Sequence, residues 1–357
     1  MFLSTREILH YKSRYVLIGS IIFLIAFVVF ILSGLATGLA NDFKQGVVDF
    51  KAEKVILSES SNNLLNASQI STSDVKKIKG GQTAPVSLFT TSVDRTSKKR
   101  VNVAIFAMDE DAVIKPKLLD GKMFSGSTDK TVVISQGLAD AGFKIGQTMK
   151  IGNHKTEVKI VGISKASEYS AAPVMYTSFS TLNEIQNAVS TDNVPFVNAV
   201  VIKSGHPSDE VKSGTLKTIS MNELIENIPG YTAQQTTLDA MIYFMFFIVM
   251  MIVAVFMYVI TLQKVPIFGI MKAQGISNLV IVKSLLWQGF WVGIVGVAVG
   301  LLVSLGTSLI LPSQMPFGID WVKWIIYGSI LVVICVLGSA FSIVTVRKVD
   351  PTKAIGA

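Results

Sequence analysis

The placement of charge constrains this chain more than any other feature. Lys, Arg, Asp and Glu are dense between Asp42 and Asp239 and absent from long stretches on either side. Four windows carry none of them: Tyr15 to Asn41, Ala240 to Gln263, Ser284 to Ile319 and Trp324 to Val346. About 20 apolar residues at 1.5 Å rise cross the roughly 30 Å hydrocarbon core of a bilayer. Each window is therefore long enough for a spanning helix, and Pro312 is expected to end the third. Only 16% of the 357 residues are charged, against about a quarter in soluble domains. The expected fold class is a membrane α-helical protein with four transmembrane helices and an inserted mixed α/β extracytoplasmic domain.

The expected segments are 1–41 (an amphipathic N-terminal helix and the first span), 42–235 (the outer domain), 236–263 (second span), 264–282 (cytoplasmic loop), 283–311 (third span), 312–323 (short outer loop), 324–346 (fourth span) and 347–357 (tail). The first apolar window is too long for a cleaved signal, and its small residues at Gly34-Leu35-Ala36-Thr37-Gly38 lie too deep, so it reads as an anchor. Sidedness follows from Lys and Arg near the span ends. Arg6, Lys12 and Arg14 precede the first span, Lys264, Lys272 and Lys283 lie between the second and third, and Arg347, Lys348 and Lys353 follow the fourth. Both termini and the middle loop are thus expected in the cytoplasm.

The formal charge of +8 raises nucleic acid as a partner. The basic residues are scattered or flank apolar spans, with no basic stripe interleaved with aromatics, so no nucleic-acid partner is expected. The single cysteine, Cys335, excludes an intramolecular disulfide. His10, His154 and His206 are far apart and have no carboxylate or thiol at metal-ligand spacing; His154 reads as the tip of a solvated hairpin. No phosphate-binding Gly-x-x-x-x-Gly-Lys loop and no Gly-x-Ser-x-Gly elbow occurs. The chain is expected to be non-catalytic, with no permanently bound cofactor or metal, and any ATP it uses is bound by another subunit.

Between the first two spans, strands are predicted over Lys54–Ser58, Val101–Phe106, Thr131–Ser135, Thr148–Ile151, Val158–Ile163 and Asn198–Ile202, which are rich in β-branched residues. Helices are predicted around Ser73–Ile78, Gln136–Ala141, Ser180–Ala188 and Ser208–Ser213. After the second span, Phe268, Ile270, Met271 and Ala273 can form one apolar face of a short helix that Gly275 terminates. Such a helix either lies in the headgroups or docks on a cytoplasmic motor.

The run Phe268-Gly269-Ile270-Met271-Lys272-Ala273-Gln274-Gly275-Ile276-Ser277 resembles the R-E-x-G-I-L-K-A-x-G-[A/M]-S segment of MacB/FtsX-type ABC permeases. Asp350-Pro351-Thr352-Lys353-Ala354-Ile355 is similar to that family's closing D-P-x-x-A-L/I motif. The opening Arg6-Glu7-Ile8-Leu9-His10-Tyr11-Lys12 and the order of one span, an outer domain and three spans also match. Pro266-Ile267 departs from the family pattern, which has an acidic residue there. The resemblance implies a homodimer of permeases in the membrane lipid, two cytoplasmic ABC ATPase subunits, and a coupling helix formed by Phe268, Gly269, Ile270, Met271, Lys272, Ala273 and Gly275. Gly34 and Gly38, and the stripe Gly289, Gly293, Gly296 and Gly300, allow close helix approach, either within one subunit or across a dimer.

A narrower resemblance, to HrtB-like haem-efflux permeases of Gram-positive bacteria, rests on Arg6-Glu7-Ile8, Arg14-Tyr15, the run Leu32 to Ala40, and Ile225-Glu226-Asn227-Ile228-Pro229-Gly230-Tyr231. It implies a plasma-membrane protein that exports haem as a transported substrate. Glu226, Tyr231, Glu223 and Tyr169 would offer oxygen ligands or polar partners, and Phe43, Met241, Phe244 and Met245 would pack on the porphyrin. Plainer roles stand beside these: Tyr231 as an aromatic-belt anchor, the Met and Phe residues as helix packing, and Glu223 and Glu226 on a solvated helix face. A transducer acting on an extracellular cell-wall hydrolase, or an exporter of an antimicrobial peptide or lipoprotein, are the other functions this architecture allows.

Overall fold

The computed structural model describes residues 12–78, 80–96, 99–126, 129–152, 156–187, 196–205, 215–312 and 315–343. The expected helix at Arg6–Lys12 (Lys12 excepted), the tail 347–357, His154 and the helix at Ser208–Ser213 lie outside the described residues. Helix α1 covers Lys12–Val48 and is followed by β1 (Lys54–Ser58), β2 (Ile70–Ser71) and α2 (Thr72–Val75). Then come β3 (Gln82–Thr96), β4 (Lys99–Ala107), β5 (Leu118–Gly121), β6 (Thr131–Ser135), α3 (Gln136–Asp140), β7 (Thr148–Ile151) and β8 (Thr156–Ser164). The short β9 (Glu168–Tyr169) leads to β10 (Ala172–Thr177), α4 (Phe179–Asn187), β11 (Phe196–Val197), β12 (Ala199–Ser204), β13 (Leu216–Ser220) and α5 (Met221–Glu226). Four further helices close the chain: α6 (Tyr231–Gln263), α7 (Val265–Ala273), α8 (Asn278–Ser308) and α9 (Trp321–Ala340).

Two compact units emerge: Met1–Gly38 with Gln235–Ala357, and Leu39–Gln234. Among the described residues, α1, α6, α8 and α9 are long and apolar enough to cross a membrane. Their extents correct the charge-free windows. α1 runs on past Asn41 to Val48, α6 begins at Tyr231 rather than near residue 236, and α8 starts at Asn278 and ends at Ser308. Charged residues mark where hydrocarbon stops, not where a helix stops. The 37 residues of α1 span about 55 Å, well beyond the roughly 30 Å core.

Within the first unit the apolar residues of α1 form a stripe at Ile18, Ile22, Ala26, Val29 and Phe30, all buried, at the spacing of one helix face. Glycines of α8 receive it: a Cβ on Gly296 would lie 2.7 Å from Ile22 Cγ2, and one on Gly300 2.8 Å from Ala26 Cβ. A Cβ on Gly293 would lie 3.0 Å from Cys335 Cβ of α9, and one on Gly34 would overlap Phe317 Cζ. Both glycine stripes are thus used inside one subunit.

The second unit is built on an 11-stranded sheet of order β13-β1-β12-β3-β4-β10-β6-β8-β5, with β7 paired to β3 and β8, and β9 to β10. β10, β6 and the second half of β4, near the sheet's centre, are apolar almost throughout because both faces are covered. Along β4, Ala104 and Phe106 enter one core with Val133, Val174 and Tyr176, while Val103 and Ile105 enter the other with Val132, Ile134, Ile160 and Met175. The tail of α1 contributes Val47 to the first of these cores. β1, β6 and β7 occupy the predicted runs, whereas β3, β5, β10 and β13 were not anticipated. α2 is a single turn, shorter than the expected helix at Ser73–Ile78, with Ser71 capping the Asp74 amide.

Candidate substrate site and coupling helix

The last turns of α1 lie against two loops of the outer domain. One is the β9–β10 hairpin, whose turn residues Ser170 and Ala171 adopt left-handed φ values of 51° and 59°. That conformation is unfavourable for residues with a Cβ. The turn is held by α1: the Ser170 amide donates to the Phe43 carbonyl and the Ala171 amide to the Asp42 carbonyl, both at 3.0 Å. The second loop joins α5 to α6. Gly230, at φ +86°, would place a Cβ 3.4 Å from the Phe43 ring, and Tyr231 follows at the first position of α6. The Phe43 and Tyr231 rings lie 6.4 Å apart and the Lys44 ammonium sits 5.9 Å from the Tyr231 ring centre. Phe43, Lys44 and Tyr231 are all partly exposed.

The structure therefore brings Phe43 and Tyr231 together and adds Lys44, which neighbouring Phe43 alone could have signalled. Tyr169 takes a different place. It is 6% exposed in the outer-domain core, edge-on to Phe106 at 5.6 Å, and burial pushes its phenol well above the ordinary range. Glu223 and Glu226 sit on α5, whose Met221, Leu224 and Ile225 face inward. The Glu223 carboxylate accepts from Asn63 Nδ2 at 3.0 Å, and Glu226 is exposed. Both fit the plainer reading of a half-solvated helix. On α6, Met241 and Phe244 are 47% and 66% exposed, and Met245 packs against the apolar cluster of the membrane unit.

A carboxyl pair escaped sequence reasoning. Asp42 on α1 and Glu168 on β9 bring two carboxyls together, an arrangement in which one proton can be shared. Burial, and then the charge of Asp42, push the Glu168 carboxyl up from 4.5 to about 7. No local pattern links these two positions; the hairpin alone brings them together.

The loop after α6 folds as α7, opened by Pro266 in its first turn, where a missing N–H costs nothing. Gly275, at φ +84°, ends it: its amide donates to the Lys272 carbonyl and the Ile276 amide to that of Met271, each at 3.0 Å. This double bond pattern over a left-handed glycine is a Schellman cap. The orientation differs from the expected apolar face. Phe268 and Gly269 are buried and Met271 is partly so, packed on the membrane unit. Ile267 and Ile270 are 46% and 49% exposed, with Ala273 also exposed and Lys272 half-exposed.

Four helices long and apolar enough to cross a membrane, an α/β domain inserted in sequence between the first two, and a short capped helix between the second and third mark a membrane protein with an inserted domain. Residues 240–351 match the family described as FtsX-like permease C-terminal. Over its full length the chain is 30% identical to a protein of Staphylococcus haemolyticus named as a hemin transport system permease protein, HrtB, covering 100% of this chain and 99% of that one. A protein of the same name from Staphylococcus epidermidis is 29% identical, with the same coverage. The chain belongs to the FtsX-like permeases of ABC transporters. Among solved structures it is similar to the extracellular domain of the ABC-type transporter YknZ from Gram-positive bacteria, at 16% identity over 46% of this chain and 87% of that one, TM-score 0.31. The periplasmic region of MacB from Actinobacillus actinomycetemcomitans matches at 14% identity over 50% and 94%, TM-score 0.35.

Proposed function

We propose that this chain is the permease subunit of an ABC efflux pump that takes haem from the outer leaflet of a Gram-positive plasma membrane and expels it. The pump is a homodimer of this chain driven by two separate cytoplasmic ATPases. The observation that carries this reading is the full-length likeness to permeases named for hemin transport. Both termini and α7 lie in the cytoplasm, as the distribution of Lys and Arg favours, and the outer domain faces away from it.

The chemistry at the outer end of α1 supports the substrate. Ferric haem accepts oxygen ligands. Tyr231 presents a phenol oxygen at the first position of α6. Lys44 beside it can pair with a propionate, and Phe43 offers an aromatic face to the porphyrin. The buried Tyr169 supports the hairpin and is not a ligand in this reading. On the cytoplasmic side, Ile267 and Ile270 of α7 are the apolar contacts offered to the ATPase, while Phe268 anchors the helix from beneath.

Titrating hemin into the purified chain in detergent tests the substrate. A shifted Soret band is expected, with affinity falling about tenfold in Tyr231→Ala, the size of one lost strong contact. An unshifted spectrum would remove haem and leave the transducer of an extracellular hydrolase and the exporter of a peptide or lipoprotein as the surviving readings.

A further inference from the structure

Lys264 stands between α6 and α7. By sequence it is one of the basic residues that mark an inner membrane surface, a role that needs contact with water or lipid headgroups. Its position is otherwise: Lys264 is 4% exposed. Its amide donates to the Thr261 carbonyl at 3.1 Å, and its own carbonyl accepts from the Phe268 amide at 2.9 Å, so its backbone belongs to the end of one helix and the start of the next. Its side chain runs inward. The ammonium donates to Tyr15 Oη at 3.1 Å and lies 5.6 Å from that ring's centre. Tyr15 in turn donates to Gln288 Oε1 at 2.7 Å, and Gln288 Nε2 to Ser284 Oγ at 3.3 Å. Tyr15, Gln288 and Ser284 are 4%, 1% and 7% exposed. A buried cation is costly unless its surroundings compensate it. Here a phenol oxygen, an aromatic face and the carbonyl end of α6 do so, and each donor in the chain polarises the next.

We propose that Lys264 is a positioning residue that fastens the root of α7 to α1 and α8, so that displacement of α7 moves those two helices with it. The contact set is directional: one side chain joins the α6–α7 break to Tyr15 of α1, and Tyr15 joins that to Gln288 of α8. Phe268 and Met271 add apolar contacts to the membrane unit, and contacts of that kind let a helix slide. This rests on the reading of α7 as the helix an ATPase grips.

The test uses the complex purified from native membranes through a tag on the full chain, comparing wild type with Lys264→Met, which keeps length and loses charge, and Lys264→Arg, which keeps charge. ATP hydrolysis and ATP-driven release of hemin from reconstituted liposomes are measured together. Lys264→Met is expected to hydrolyse ATP within about twofold of wild type but to release hemin at least about tenfold more slowly, while Lys264→Arg recovers most of the release; a residue needed only for folding would lower both rates together. Release at the wild-type rate in Lys264→Met, or equal loss of hydrolysis and release, overturns the proposal. If wild type moves no hemin, the substrate reading fails separately, and hydrogen exchange at the Ser170 amide decides. An ATP-dependent change in wild type that vanishes in Lys264→Met supports the fastening; the same change in both, or in neither, overturns it.

Discussion

Replacing Glu168 with Gln keeps the shape of the Asp42–Glu168 contact but removes the carboxyl that titrates. In wild type that carboxyl is raised from 4.5 to about 7, so between those values the folded protein holds a proton that the unfolded chain releases. Its contribution to stability is therefore fully present below about pH 4.5 and is lost as pH rises through about 7. At face value a change of that size corresponds to about 3 kcal/mol. Both side chains are only half-buried, so water screens the repulsion and about 1 kcal/mol is a fairer expectation. The effect should concentrate where the pair acts, on the hairpin whose Ser170 and Ala171 amides bond to α1. Hydrogen exchange on the full chain reads these amides directly, after correction for intrinsic exchange rates. Protection at Ser170 and Ala171 should fall about fivefold between pH 5 and pH 8 in wild type. It should stay level in Glu168→Gln, which at pH 8 should be the better protected of the two. A level profile in wild type, or the same fall in Glu168→Gln, would refute the shared proton.

Gly300→Leu should lower the melting temperature of the detergent-solubilised chain, since its side chain would press on Ala26 of α1 and overpacking costs about 1–3 kcal/mol. A change in self-association with melting untouched would mean the glycine stripe serves another copy. Ile270→Glu should abolish co-purification of the ATPase while leaving the melting temperature within about 2 °C, because Ile270 is half-exposed and surface changes cost little; retained ATPase would move the docking face elsewhere on α7.

The membrane helices were legible because a bilayer excludes charge, and an uncharged window announces itself. Their true lengths were not, because Asp42, Lys44 and Asp239 continue the helices into water without any sequence mark of an end. Strands built from contiguous β-branched residues, such as Thr131–Ser135, were also plain. β3 was hidden by Pro85 and by Ser and Thr, although Ala84, Val86 and Leu88 alternate inward in the fold; a proline inside a run argues against a strand. The helix α7 was visible in composition, but its rotation was not. In Val265–Ala273 nearly every residue is apolar, so hydrophobicity cannot choose which side faces in. At the candidate site Phe43 and Tyr231 could be named from the sequence as an aromatic and a phenol at the outer span ends, but only the fold sets their rings 6.4 Å apart. Tyr169 was misplaced because an exposed and a buried tyrosine look alike in sequence. Asp42 with Glu168, and Lys264 with Tyr15 and Gln288, are pairings made only by the fold. Long-range polar contacts of that kind leave no local pattern.

Haem export itself is tested most directly by loading hemin into the membrane of liposomes that carry the purified permease–ATPase complex, adding ATP, and following transfer of hemin to an external apoprotein acceptor. The account predicts ATP-dependent transfer that needs Tyr231 and stops when hydrolysis is blocked. Transfer at the same rate with and without ATP, or an ATPase that runs while hemin stays in the bilayer, would contradict it.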